Sequence, residues 1–324
     1  MSWLVTGGAG YIGSHVVRAF QAKGIDTVVV DDLSSGRRSF LTEQTPFVQG
    51  SILDGRLLED AFEKFHVQGV VHLAGFKYAG VSVKRPLHTY QQNVAGTSML
   101  LGAMEAKGVD RIVFSSSAAV YGTPDVDLVT ETTLKHPESP YGESKLIGEW
   151  LLADQARATG LRHTSLRYFN VVGSGTPEVF DPSPHNLFPL VFEALIDGRT
   201  PRINGDDYPT PDGTCVRDYI HVADLAEAHV VAAQRLDSGA PIEPVYNLGS
   251  GDGVSVGEIM RAVSEVTGIA FDPEIAPRRE GDPARIVASG ELAARDLDWR
   301  MRYSLAEMVA SAWEARRSAT VDNV

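Results

Sequence analysis

Tyr141 and Lys145 stand four residues apart in the run Tyr141-Gly142-Glu143-Ser144-Lys145, a spacing that puts a phenol and an ammonium on one helix face. A free phenol titrates near 10 and is a poor base at neutral pH. A cation about 5 Å away, at an effective dielectric near 20, favours the phenolate by roughly 3 kcal/mol, or about two pK units. Such a pair supplies a general base for a hydroxyl proton. Upstream, Ser115-Ser116-Ser117 closes an apolar run. A serine at the C-terminal end of a parallel strand faces the crevice in which α/β proteins bind ligands. Ser117 is placed to donate a hydrogen bond to the reacting oxygen, and Ser115 and Ser116 are left to satisfy backbone groups.

A base of this kind needs an electron acceptor beside it, and the N-terminal residues suggest one. Gly7-Gly8-Ala9-Gly10-Tyr11-Ile12-Gly13 follows a short apolar run and opens a helical pattern. Backbone N–H groups at such a helix start face a pyrophosphate, which side chains would block. Gly7, Gly10 and Gly13 are spaced G-x-x-G-x-x-G, one residue longer at the front than the usual dinucleotide fingerprint. The next strand pattern ends in Asp31-Asp32, where a carboxylate can accept hydrogen bonds from an adenosine ribose. A carboxylate there repels a 2′-phosphate, so NAD is expected over NADP, with Arg37 and Arg38 arguing the other way. The positive ring of bound NAD would further favour the Tyr141 phenolate.

The elements that must hold these residues follow an alternating pattern. Strands are expected over residues 3–6, 27–30, 70–73, 111–115 and 163–168, and helices over 14–22, 57–66, 96–107 and 143–159. That alternation implies βαβ crossovers and a doubly wound parallel Rossmann sheet. After Asn170 the texture changes. Residues 173–189 read as loop, 190–198 as a short helix, 204–213 as a second loop, 216–222 as a strand and 224–236 as a helix. Residues 1–170 are therefore assigned to a dinucleotide-binding domain to which residues 214–250 return. Residues 171–324 mainly form a smaller α/β substrate-binding domain, with a tail, 316–324, expected to fray.

Composition narrows the class further. The chain has 324 residues, 43% apolar and 22% charged, and a net charge of −13. This is a globular composition, and the acidic balance argues against a nucleic-acid partner. Cys215 is the only cysteine, so neither an intrachain disulfide nor a thiolate metal cluster is expected, and a reducing compartment fits. No apolar run reaches the roughly 18 residues that span a bilayer. No leader pattern precedes the first strand, and a cytoplasmic protein with no membrane partner is expected. The histidines show no metal-ligand spacing; His221 and His229 read as structural, and no metal is called for.

On these residues the chain resembles the extended short-chain dehydrogenase/reductase superfamily and, within it, the UDP-glucose 4-epimerase family. The resemblance rests on VTGGAGYIGSH at 5–15, FSSSAAVYG at 114–122, SPYGESK at 139–145, LRYFN at 166–170, DDYPTPDGTCVRDYIH at 206–221, YNLG at 246–249 and APRREGD at 276–282. It implies that Tyr141 removes the proton of a sugar 4-hydroxyl while NAD accepts hydride from C4. The 4-keto sugar then turns over and takes the hydride back on its other face. Lys145 would hold the nicotinamide ribose and lower the tyrosine pKa, and Ser117 would position the 4-oxygen.

The resemblance also assigns contacts. For NAD it adds Tyr11, Ile12, Asp32, Ser35, Gly36, Ser51, Ile52, Leu73, Ala74, Gly75, Lys77, Gln92 and Phe169 to the glycines and Asp31. Ser51 stands where the family usually has an acid near the adenine, and Gln92 precedes Asn93 where the family has an Asn-Asn pair. For a UDP-sugar it assigns Asn170, Asn186, Leu187, Arg217, Arg279 and Asp282. Arg217 and the pair Arg278-Arg279 are candidates for the diphosphate, because guanidinium binds phosphate bidentately. Ile286 aligns with a position whose bulk influences acceptance of N-acetylated sugars. The family is homodimeric through paired helices, here 87–107 and 141–159. The alternatives are a sugar-nucleotide dehydratase or decarboxylase of the same superfamily, an epimerase of UDP-N-acetylhexosamine or UDP-uronate, and a cofactor-sensing protein without catalysis. Ala118-Ala119 occupy the place of a dehydratase's Asp-Glu pair, and both Tyr141 and Lys145 are present.

Overall fold

The structure is a computed structural model that describes residues 2–279 and 282–321. The chain opens with β1 (Ser2–Thr6), α1 (Tyr11–Ala22), β2 (Asp26–Asp31), β3 (Phe47–Gln49), α2 (Gly55–Lys64) and β4 (Val67–His72). It continues through α3 (Ala79–Lys84), α4 (Pro86–Tyr90), a π-helical turn (Gln91–Ala95), α5 (Gly96–Lys107), β5 (Arg111–Ser115), α6 (Pro140–Thr159) and β6 (Arg162–Tyr168). Then come β7 (Asn170–Val172), α7 (Leu187–Ile196), β8 (Arg202–Asn204), β9 (Val216–Arg217), β10 (Tyr219–His221), α8 (Val222–Asp237) and β11 (Val245–Leu248). The last elements are β12 (Val254–Ser255), α9 (Val256–Thr267), β13 (Glu274–Ala276), β14 (Arg285–Ile286), α10 (Glu291–Leu297) and α11 (Leu305–Val321).

Seven strands form one sheet in the order β11-β6-β5-β4-β1-β2-β3, and every pairing within it is parallel. Strands covered on both faces are apolar without alternation, as Leu4-Val5 and Val28-Val29-Val30 show. One face is packed by Val16, Val17 and Phe20 of α1 with Leu225 and Ala228 of α8. The other is packed by Leu58 and Phe62 of α2, Leu100 and Met104 of α5 and Leu152 of α6. The chain builds outward from β1 through β2 to β3, then crosses back to β4 on the other side. This reversal leaves a crevice at the C-terminal ends of β1 and β4, where doubly wound sheets bind ligands.

A third core lies beyond the sheet, where α7, α9 and α11 contribute Phe188, Phe192, Ile259, Val263, Met308 and Val309. Here the structure departs from the sequence pattern in three ways. Helix α7 begins at Leu187, ahead of Pro189, because proline is tolerated in a first helical turn. The strand expected over 216–222 is divided at Asp218, whose buried carboxylate turns aside to accept the Ser250 and Ala288 amides at 3.0 Å each. The expected fraying tail is helical as far as Val321, because Ala315 is fully buried on the far side of α11; residues 322–324 lie outside the described residues. Strands β3 and β11, of three and four residues, are too short to show a period.

Four buried histidines pin these layers together in neutral form. His15 of α1 accepts the Gly175 amide at 2.9 Å and donates to the Tyr11 carbonyl at 2.8 Å. His72 bridges Thr6 and Thr97, His221 bridges the Ala223 amide and Ser311, and His229 bridges Ser115 and the Leu225 carbonyl. Burial lowers His15, His221 and His229 to about 4 and His72 to about 3, against about 6.5 in an unfolded chain. Between those values the unfolded chain binds protons that the fold refuses, so stability is full above pH 6.5 and drains as pH falls. The slope is up to about 1.4 kcal/mol per pH unit for each group. The urea midpoint is expected to fall between pH 7 and pH 5; an unchanged midpoint would show that these rings are not held neutral.

Candidate active site

The glycine turn builds the floor of a cavity of about 730 Å³ at the switch point. Gly7 has φ +70°, and a Cβ on it would lie 2.8 Å from the Ala74 amide nitrogen. A Cβ on Gly13 would lie 2.2 Å from the Gly7 carbonyl oxygen. The turn therefore closes tightly on itself and on the loop after β4, with α1 starting at Tyr11. Gly10 is the N-cap of α1, and no side chain caps it, so first-turn amides face the cavity at the positive end of the helix dipole. This cradle fits a pyrophosphate. Tyr11 and Ile12 line it, and Tyr11 donates its hydroxyl to the Gly173 carbonyl at 2.6 Å.

Asp31 ends β2 beside this turn. Its carboxylate accepts the Ala9 amide at 3.0 Å and the Leu33 amide at 2.8 Å. Burial pushes its pKa up while those two amides pull it down. Asp31 thus braces the turn and still presents carboxylate oxygen to the cavity, alongside Asp32 and Ser35. Gly36 lies behind it, where a Cβ would meet the Asp31 carboxylate at 2.8 Å. Arg37 and Arg38 turn elsewhere: the Arg37 guanidinium sits 4.8 Å from the Phe180 ring centre and Arg38 5.2 Å from that of Phe47. The carboxylate is therefore not offset by either arginine.

Helix α6 carries Tyr141 and Lys145. Ser139 caps it by accepting the Gly142 amide at 3.2 Å, and Pro140 occupies the first turn, which fixes the helix start one residue before Tyr141. Lys145 is buried; its Nζ donates to the Ser115 carbonyl at 2.9 Å and lies 5.9 Å from the Tyr141 ring centre. Ser117, whose hydroxyl accepts the Ala119 amide at 3.1 Å, faces the Tyr141 phenol. The expected lowering of the phenol by its neighbour is not found in the protein's own groups. Burial raises Tyr141, with Ser117 pulling against it, because the ammonium reaches past the ring to a carbonyl. Burial also lowers Lys145 to about 8, with Glu149 opposing. Nor are Ser115 and Ser116 spent on backbone groups: their hydroxyls bond the His229 ring at 2.8 Å and the Glu149 carboxylate at 2.6 Å.

The walls gather residues from both halves of the chain. Ile52, Leu73, Ala74, Gly75, Lys77, Gln92 and Phe169 line the cavity, as do Asn170, Asn186, Leu187, Arg217, Arg279 and Asp282. Gln92 sits on the π-helical turn, whose extra residue lets Asn93 accept the Phe76 amide at 2.6 Å and donate to Ser144 at 2.8 Å. Arg217 pairs with Asp282 at 3.3 Å, and Arg279 faces the Asn204 side chain. Among the described residues, seven lysines and arginines line the cavity against four aspartates, an anion-attracting field inside a chain of net charge −13.

Some assignments fall outside the lining. Ser51 turns its hydroxyl to the Leu53 amide at 3.2 Å, leaving Gly50 and Ile52 on the wall. Arg278 lies over the Tyr208 ring at 4.1 Å and pairs with Asp207, so only Arg279 of the adjacent arginines faces inward. Ile286 packs against the cluster of Val120, Tyr121 and Leu146. Ser117 is absent from the wall and reaches it through Tyr141. Glu280 and Gly281 lie outside the described residues. The sequence reading missed Tyr78, His185, Phe180, Arg202 and Arg316, all cavity residues. They come from loops, the short strand β8 and the distant helix α11, and no spacing relates them.

A parallel sheet, a glycine cradle at its switch point and a Tyr–Lys pair on the adjoining helix, its lysine buried, define a dinucleotide-binding α/β enzyme. The chain belongs to the NAD dependent epimerase/dehydratase family, whose model matches residues 3–249. It is 43% identical over 318 residues to a UDP-glucose 4-epimerase of Azospirillum brasilense, covering 96% of this chain and 91% of that one. A crystal structure of a UDP-glucose 4-epimerase superposes with a TM-score of 0.95 at 42% identity, covering 99% of this chain and 98% of the other. That of Stenotrophomonas maltophila, with bound NAD and formylated UDP-arabinopyranose, superposes with a TM-score of 0.94 at 41% identity over 99% of both chains.

Two glycine substitutions test the cradle. Gly13→Ala drives a methyl group into backbone and is expected to lower the thermal midpoint by several degrees. Gly10→Ala, whose Cβ would meet only the Gly7 carbonyl at 3.2 Å, should change it far less while weakening dinucleotide retention. Equal effects of the two on stability would contradict this geometry.

Proposed function

We propose that the protein interconverts UDP-glucose and UDP-galactose by inverting the sugar C4 centre, with NAD retained throughout. The observation that carries this reading is the half-buried Tyr141 with the buried Lys145, facing the glycine cradle across one cavity. NAD, when bound, supplies the reversible oxidation of C4. The first-turn amides of α1 would hold its pyrophosphate, Asp31 and Asp32 its adenosine ribose, Gly50 and Ile52 its adenine, and Lys77, Gln92 and Phe169 its nicotinamide half. A positive ring placed beside Tyr141 would reverse the upward push of burial on the phenol.

Tyr141 then takes the 4-hydroxyl proton and later returns it, Ser117 keeps the phenol oxygen oriented, and Lys145 holds the nicotinamide ribose. Arg217 and Arg279 bind the diphosphate, with Asn170, Asn186, Leu187 and Asp282 around the nucleotide and sugar. Anchoring by the diphosphate leaves the oxidised hexose free to present its opposite face. In the division into residues 1–170 with 214–250 and residues 171–324, the first part holds the cofactor and lends Asn170 and Arg217 to the substrate, and the second supplies the remaining substrate contacts.

Two subunits are proposed to pair through α5 and α6, where Trp150 is 57% exposed, Met99 43% and, on the adjoining α4, Leu87 83%. No described helix is long and apolar enough to cross a membrane, and a cytoplasmic role in galactose metabolism is consistent with that.

Purified protein given UDP-galactose without added NAD is expected to yield UDP-glucose. Tyr141→Phe should reduce that rate by about 10³-fold with NAD still bound; near-normal turnover would remove the base from the mechanism. For the pairing, Trp150→Glu combined with Leu87→Glu is expected to give monomers by light scattering, and an unchanged mass would place the interface elsewhere.

A further inference from the structure

The three consecutive serines at the end of β5 meet three residues of α6 spaced by four. Ser117 faces Tyr141, the Ser115 carbonyl accepts from Lys145, and the Ser116 hydroxyl donates to Glu149. Residues at i, i+4 and i+8 share a helix face, so the strand end and the helix are joined at three successive turns. The proposed mechanism uses the first two of these contacts and leaves the third unexplained.

Glu149 is 7% exposed and Arg167 2%. Arg167 of β6 grips both carboxylate oxygens along one guanidinium edge, donating from Nε at 2.8 Å and from Nη2 at 2.5 Å. Its remaining nitrogen donates to the Tyr121 hydroxyl at 2.7 Å, which in turn donates to Asn247 of β11 at 2.7 Å. A buried ion pair is costly to desolvate and often no more stabilising than an apolar pair of equal volume, so stability alone gives it little reason to stand here. Its place one turn beyond Lys145 gives it another.

We propose that Glu149, held by Arg167 and Ser116, is a positioning residue for the Tyr141–Lys145 pair: it fixes the rotation of α6 against β5 and supplies the counter-charge that keeps Lys145 an ammonium. This rests on the proposed function above. The groups facing Lys145 are Tyr141 and Glu149 on its own helix, His72 of β4 and the Phe114 ring of β5 at 5.0 Å, while Tyr168 of β6 faces Tyr141. Those facing Glu149 are Arg167 and His163 of β6 and Lys135 of the preceding loop. Glu149 is the group that favours the charged form of Lys145, against a burial effect that lowers it to about 8.

The test titrates Lys145 directly, by ¹³Cε NMR of lysine-labelled, NAD-loaded protein, with Lys145→Met identifying the signal. Glu149→Gln removes the counter-charge and leaves Arg167, so the midpoint is expected to fall by about one pH unit or more. Arg167→Gln leaves Glu149 uncompensated, and the midpoint should rise. The double variant should return towards the wild-type value, and the alkaline limb of kcat should follow the same order. Midpoints that stay fixed, or that move together in the two single variants, overturn the proposal. Should either buried variant fail to fold, Ser116→Ala decides: kcat is expected to fall about tenfold with KM unchanged, and wild-type kcat overturns the positioning role. The NMR titration does not depend on which sugar is turned over, so loss of the epimerase reading and loss of this one are separate outcomes.

Discussion

The approach of Gly7 to the backbone of Ala74 sets the geometry on which the rest depends. With 2.8 Å between a notional Cβ and the Ala74 nitrogen, no side chain fits between the turn after β1 and the loop after β4. That contact brings the N-terminus of α1 to the edge of the crevice and holds the loop carrying Lys77 against it. Everything assigned to a dinucleotide follows from this one close passage, because helix-terminal amides act over only a turn or so. The reacting groups on β5 and α6 then reach the same space from the neighbouring crossover.

The electrostatics of the cavity are built from a few buried charges rather than from overall composition. An acidic chain attracts an acidic ligand by concentrating cations where the two halves meet, on α6, the loop after β4 and the segments at 202, 217 and 279. Tyr141 and Lys145 sit where burial makes both members of the pair harder to charge. In the proposed mechanism the strength of Tyr141 as a base is thus conditional: the fold holds Tyr141 and Lys145 in a poorly solvated place, and a bound cofactor's positive ring would supply the charge that favours the phenolate. This links proton transfer to an assembled site.

The parts of the site legible in the sequence share a local geometry. Tyr141 and Lys145 were visible because four residues make one helical step, and Gly7, Gly10 and Gly13 because a turn leading into a helix has a fixed length. The sheet was legible through its uninterrupted apolar strands. Residues joined only by tertiary structure left no such trace. Tyr78 and His185 meet edge to face at 5.1 Å across 107 positions of chain, and Glu149 finds Arg167 through a strand partner. Ser51, Arg278 and Ile286 failed in the opposite way. Each occupies an expected position along the chain, but its side chain has a better local partner: an amide, an aspartate with a tyrosine face, or an apolar cluster.

The π-helical turn at Gln91–Ala95 gives the run from α4 to α5 a particular vulnerability. One surplus residue in the turn sets the rotational phase of everything after it. Removing a single residue there would restore ordinary pitch and swing Asn93 away from Phe76 by roughly a quarter turn, unhooking the loop after β4 from Ser144. The segment can therefore exchange side chains more freely than it can change length, and an indel of one residue would be felt at the nicotinamide end of the cavity before it was felt in the core.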